Sequence, residues 1–124
     1  MRYFIGLLFF LSTMVAQVTD KNFKDKISDG FSVIVFTSEW QEQDLDEDIL
    51  EGVKGYQEAR IITVKSEDAR KVAKKLRLRN FPSIALFHDG SKIDVWKGDM
   101  DGEVDCSASD IKKAIDEIFA GDVF

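Results

Sequence analysis

Apolar residues fall along this chain in two rhythms: short runs and alternations that mark strands, and i, i+3/i+4 stripes that mark helices. After a short extended piece at Gln17-Val18, Thr19 or Asp20 is placed to cap a first helix that buries Phe23 and Ile27, and Gly30 ends it. Phe31 to Thr37 is a continuous apolar run rich in β-branched residues, the pattern of a strand covered on both faces and therefore central. A second helix is predicted from about Asp44 to Tyr56. Leu45, Ile49, Val53 and Tyr56 share its stripe, and the acids Asp46, Glu47 and Asp48 suit the positive end of its macrodipole. Ile61-Ile62-Thr63-Val64 predicts a second buried strand, and Glu67 to Leu76 a helix burying Ala69, Val72, Ala73 and Leu76. Two strands, Ser83–Phe87 and Lys92–Trp96, flank the turn signal His88-Asp89-Gly90-Ser91, with Ile93 and Val95 alternating against polar neighbours. Ser107 then caps a last helix, with Asp110 three residues on and Ile111, Ala114, Ile115, Ile118 and Phe119 as its buried stripe. The order βαβαβαββα is that of an α/β fold in three layers, a mixed central sheet with helices on both faces.

The chain has 124 residues, enough for one core and one domain. Its first 16 residues, one basic residue (Arg2) followed by the apolar run Phe4–Ala16, fit a secretory signal peptide better than a membrane span of roughly 20 residues. The expected division is therefore a signal at 1–16 and a folded domain at 17–124, delivered to the secretory route: secreted, ER-lumenal or periplasmic, with no stable membrane span once the signal is removed. Removal of Arg2 takes the formal net charge from −6 to −7. An acidic chain is a poor binder of nucleic acid, since phosphate contacts need clustered Lys and Arg on an accessible face, which argues against nucleic acid as a partner. The sole cysteine is Cys106, so a disulfide within one chain is excluded.

The segment Glu39-Trp40-Gln41-Glu42-Gln43-Asp44 follows the central strand, and Asn80-Phe81-Pro82-Ser83 comes about forty residues later. In layout and wording this resembles the thioredoxin-like family, whose members carry Trp-Cys-x-x-Cys at the first place and a cis-proline at the second. Here the degenerate motif is Trp40, Gln41, Glu42, Gln43 and Asp44, so the chain is similar to a redox-inactive member of that family. An amide and a carboxylate cannot perform thiol exchange. Val35 occupies the place of the family's buried, proton-accepting aspartate, and an apolar residue is the better core choice once proton transfer is not needed. The resemblance implies a thioredoxin-like fold with no dithiol oxidoreductase activity, no catalytic residue, no cofactor and no metal. Pro82, expected in a cis peptide bond, would meet Trp40, Phe81 and Gly98 at one edge as a candidate peptide-binding surface.

Acidic residues are expected to form one face around that edge: Glu42, Asp44 and Asp46 beside the motif, and Asp99, Asp101 and Asp105 after Gly98. The basic residues of the third helix, Arg70, Lys71, Lys74 and Lys75 among them, would lie on the opposite sheet face. By analogy with inactive relatives the expected function is noncovalent binding of polypeptide, as a chaperone-like or assembly factor, with basic clients favoured by charge. Two alternatives follow from single features: thiol–disulfide exchange through a free Cys106, in a protein disulfide isomerase-like role, and low-affinity calcium binding by the clustered carboxylates. The second is not an EF-hand, because aligning Gly102 with that loop's glycine puts Lys97 first and Ala108 last. His88, alone in a hairpin turn, reads as ordinary surface.

Overall fold

The computed structural model of the chain describes residues 18–40 and 47–122. The expected signal, Gln17, motif residues Gln41-Glu42-Gln43-Asp44, and Leu45 and Asp46 lie outside them.

Strand β1, Phe31–Thr37, is buried at its first six positions because helices cover both of its faces. It pairs in parallel with β2, Arg60–Lys65, and antiparallel with β3, Ser83–His88, which pairs antiparallel with β4, Ser91–Trp96, giving the order β2-β1-β3-β4. Helices α1, Phe23–Lys26, and α3, Arg70–Lys75, cover the sheet face made by Ile34, Phe36, Ala85 and Phe87. Helices α2, Glu47–Val53, and α4, Ala108–Asp122, cover the face made by Phe31, Val33, Ile84 and Leu86. The three-layer architecture read from the pattern is the one observed.

Two local signals act as expected. Ser107 and Asp110 form a reciprocal capping box at α4: the Asp110 N–H donates to Ser107 Oγ at 3.2 Å and the Ser107 N–H to Asp110 Oδ2 at 2.9 Å. Asp89 and Gly90 both have positive φ, 48° and 86°, as a two-residue hairpin turn matched to strand twist requires. Val18 is buried in the core but lies in no strand.

Several boundaries differ from the pattern, each for a reason outside the local window. Asp20 caps α3 and not α1: its carboxylate accepts the N–H groups of Lys71 at 3.2 Å and Val72 at 3.1 Å. Helix α3 begins at Arg70 and not at Glu67, whose side chain is turned toward β1. Helix α2 stops at Val53 because Gly55 turns left-handed (φ 76°); Tyr56 lies beyond its end but still packs, partly buried, against the same core as Ile49 and Val53, and its hydroxyl donates to Asp116 on α4 at 2.8 Å. Gly52 serves packing, since a Cβ there would stand 2.6 Å from that of Ala108 on α4. Strand β2 is an edge strand among the described residues, buried fully only at Val64. A bulge opposite Leu86 and Phe87 sends Ile93 and Val95 to different faces of the sheet.

Candidate functional site

Because β1 and β2 run in parallel with Thr37 opposite Lys65, the residues that leave them emerge side by side at one edge. There the Ser38 hydroxyl donates to Glu67 Oε2 at 2.6 Å and accepts the Trp40 N–H at 3.4 Å. The other oxygen, Oε1, is sealed from solvent and has no partner among the described residues. Glu67 stays below the usual carboxylate range chiefly because of the Ser38 hydroxyl, with burial opposing and backbone N–H groups of Glu67 and Glu39 assisting. A charged hydrogen bond of this kind is among the stronger ones, and it pins the turn that delivers Trp40.

Trp40 is 65% exposed, and its ring stands edge-on to Phe81 with centroids 6.0 Å apart and planes at 89°. Phe81 is itself buried, so the exposed indole rests on a fixed base. The Phe81–Pro82 bond is cis. Next to it, the Ser83 hydroxyl donates to the Asn80 carbonyl at 2.8 Å and accepts the Gly98 N–H at 2.9 Å. A Cβ on Gly98 would collide with the Pro82 carbonyl oxygen, so this close approach of two backbones needs glycine. The structure thus brings Trp40, Phe81, Pro82 and Gly98 together.

Gly98 bridges to Val104 and closes a loop whose organiser is Asp99. Asp99 Oδ1 accepts the N–H groups of Asp101 and Glu103, each at 2.9 Å, while its own N–H donates to the Glu103 carbonyl at 2.8 Å. Asp99 is therefore tied into its own turn, whereas Asp101, Glu103 and Asp105 project into solvent with Met100 at the tip. Glu42, Asp44 and Asp46, the other half of the expected acidic face, lie outside the described residues. The surroundings of Trp40 are mixed in charge: the open groove of about 420 Å³ between it and α3 is lined by Arg70 and Lys74 as well as Glu67, Leu78 and Phe81. Arg60 belongs elsewhere, donating to the carbonyls of Lys26 and Asp29 at 3.1 and 2.6 Å.

Cys106 is a free thiol, 9% exposed, in the core cluster with Ile111 and Ile115. Burial first, then Asp110, Asp94 and Asp105, pushes it up to about 12, far above the range in which a thiol attacks disulfides. Val35 is buried and apolar. His88 stacks on Phe31 with ring centroids 4.4 Å apart and faces Asp89 at 3.4 Å, tying the hairpin to β1. Among the described residues no three His, Cys, Asp or Glu side chains could hold a metal ion, and no helix is long and apolar enough to cross a membrane.

Ser38, Glu67 and Ser83 were not among the residues singled out from the sequence. The signal that could have found the first pair is the parallel pairing of β1 with β2, which makes neighbours of the residues that follow each strand.

The Thioredoxin family profile matches residues 14–116. No curated protein matches the chain significantly. Many solved structures are similar in fold, three of them as follows. One, solved for the thiol resolving mechanism in yeast mitochondrial 1-Cys peroxiredoxin via glutathione/thioredoxin systems, has a TM-score of 0.60 at 17% identity, covering 82% of this chain and 93% of that chain. A designed protein has a TM-score of 0.59 at 14% identity, over 80% and 90% of the two chains. The first two thioredoxin domains of Naumovozyma dairenensis Eps1p have a TM-score of 0.53 at 15% identity, over 67% of this chain and 35% of that one, so this chain spans about a third of that structure. At such identities the likeness is one of fold. With the profile covering most of its length and the layers and sheet order in agreement, the chain belongs to the thioredoxin family.

Proposed function

We propose that this protein binds polypeptide noncovalently, without dithiol oxidoreductase chemistry, as a chaperone-like or assembly factor on the secretory route. The observation that carries the reading is the exposed Trp40 ring held on buried Phe81 beside Pro82, in a chain whose one thiol is buried elsewhere. An exposed large aromatic on a fixed base is a contact surface obtained at little conformational cost. Gln41 and Asp44 stand where exchange would need cysteines. The burial and raised pKa of Cys106 speak against the thiol-exchange alternative, and the use of Asp99 as a turn organiser speaks against loop calcium. Export rests on the apolar run Phe4–Ala16 alone.

Clients would be extended segments laid across Trp40 and Pro82. Their basic character is favoured by the net charge of −6 and by Asp101, Glu103 and Asp105, with Arg70 and Lys74 tempering it on the α3 side. The test pairs two measurements on one preparation. Turbidity of a reducible disulfide protein with dithiothreitol should rise at the uncatalysed rate, and an unfolded basic polypeptide should change the tryptophan emission with an affinity that falls as salt rises. Catalysis that persists in Cys106→Ser would overturn the redox-inactive part. Failure of any unfolded polypeptide to bind would overturn the rest.

A further inference from the structure

A second concavity lies apart from the Trp40 edge, on the sheet face covered by α1 and α3. It has a volume of about 400 Å³, and its floor is apolar: Phe23 comes from α1 and Ile27 from just past its end, Val72 from α3 and Leu76 from just past its end, and Phe87 from β3. Its rim carries four ammonium groups from three elements, Lys24 on α1, Lys71 and Lys75 on α3 and Lys92 on β4. None of the four forms an ion pair among the described residues. The single acid at the rim, Asp20, is spent on the N–H groups of Lys71 and Val72 at the start of α3. On a protein of net charge −6, four unpaired lysines around an apolar floor are a local reversal of sign.

We propose that this groove binds a single-chain carboxylate amphiphile, its hydrocarbon on the apolar floor and its carboxylate among the lysines. Charge complementarity selects the head group. The volume selects the chain: at about 30 Å³ for a group the size of a water molecule, the groove holds roughly a dozen methylenes. An acidic peptide fits less well, because its backbone would need partners and the helix-end N–H groups here are already taken by Asp20.

The experiment titrates the full chain with dodecanoate, hexanoate and dodecyltrimethylammonium below their micelle concentrations. One equivalent of dodecanoate should bind at least tenfold more tightly than either of the others. Nonspecific attraction to an acidic protein would favour the cation, so equal or tighter binding of dodecyltrimethylammonium overturns the proposal. In methyl NMR of the unaltered protein, dodecanoate should shift Ile27, Val72 and Leu76 and leave Ile111 and Ile115 in place; shifts confined to the apolar run Phe4–Ala16 or to the other face overturn it. The pair Lys71→Glu and Lys75→Glu should weaken dodecanoate at least tenfold with the circular dichroism unchanged, and Leu76→Trp should block it by filling the floor. Unaltered affinity in both variants overturns the assignment. So does binding to anionic phosphatidylglycerol vesicles without binding of the free acid, or self-association abolished by Leu76→Trp, since these would make the occupant a lipid surface or a second copy.

Discussion

Trp40 and Cys106 are the side chains on which contact and thiol chemistry could respectively be built, and the fold treats them in opposite ways. Trp40 stands 65% exposed, held from below by Phe81 and from behind by the hydrogen bonds of Ser38 and Glu67. Cys106 leaves the loop that follows Gly98 and turns inward, into the apolar cluster under α4, with three carboxylates near enough to oppose its ionisation. Chemistry at a thiol needs a thiolate, and recognition by an aromatic needs only area and rigidity. The contrast therefore supports the contact proposed for the edge and puts the cysteine in core packing.

The sharpest way to break the edge is Gly98→Ala. A Cβ there meets the backbone oxygen of Pro82, which has no rotamer with which to yield, so a loss of about 2–3 kcal/mol is expected. Chemical denaturation would measure it, and a loss under 0.5 kcal/mol would show that the two segments part easily.

Next in size is Ser38→Ala, expected to cost about 1–2 kcal/mol because Glu67 loses its closest donor. Since the folded Glu67 titrates below its ordinary value of 4.5, it contributes stability above that pH that is lost as pH falls through the folded value. The Tm profile of Glu67→Gln should therefore be flatter than that of the unaltered protein below pH 4.5, and parallel profiles would contradict the clamp.

Cys106 gives a smaller, alkaline signature. Its folded pKa lies above the ordinary 9.0, so its contribution is complete below 9.0 and lost as pH rises toward about 12. Cys106→Ala should flatten that limb, and the native thiol should label at the rate of global unfolding. Rapid labelling of the folded protein would reopen exchange chemistry.

The smallest effect on stability belongs to Trp40→Ala, within about 0.5 kcal/mol because the ring is mostly in water. Polypeptide binding, in contrast, should fall at least tenfold. Equal binding by this variant would move the contact surface away from the edge.

Much of the fold was legible because its signals are local. The apolar run of β1, the Asp89-Gly90 turn and the Ser107–Asp110 box each involve neighbours within a few residues, and each appears where the pattern put it. The candidate site was legible only in part. Trp40, Phe81, Pro82 and Gly98 could be named through family layout, while the groups that hold them could not. Ser38 and Glu67 are 29 residues apart, and Ser83 and Gly98 are 15.

What the sequence by itself determined is chemical inventory and short-range geometry: one cysteine, no Cys-x-x-Cys, strands where apolar residues run, helices where they recur every three or four. Only the tertiary structure decided that Asp20 caps a helix 51 residues away instead of the one beside it, that β2 lies at an edge, and that the thiol is buried while the indole is not. The physical reason is that a polar side chain takes whichever unsatisfied donor or acceptor the packed sheet brings nearest, and that neighbour exists only after the strands have paired.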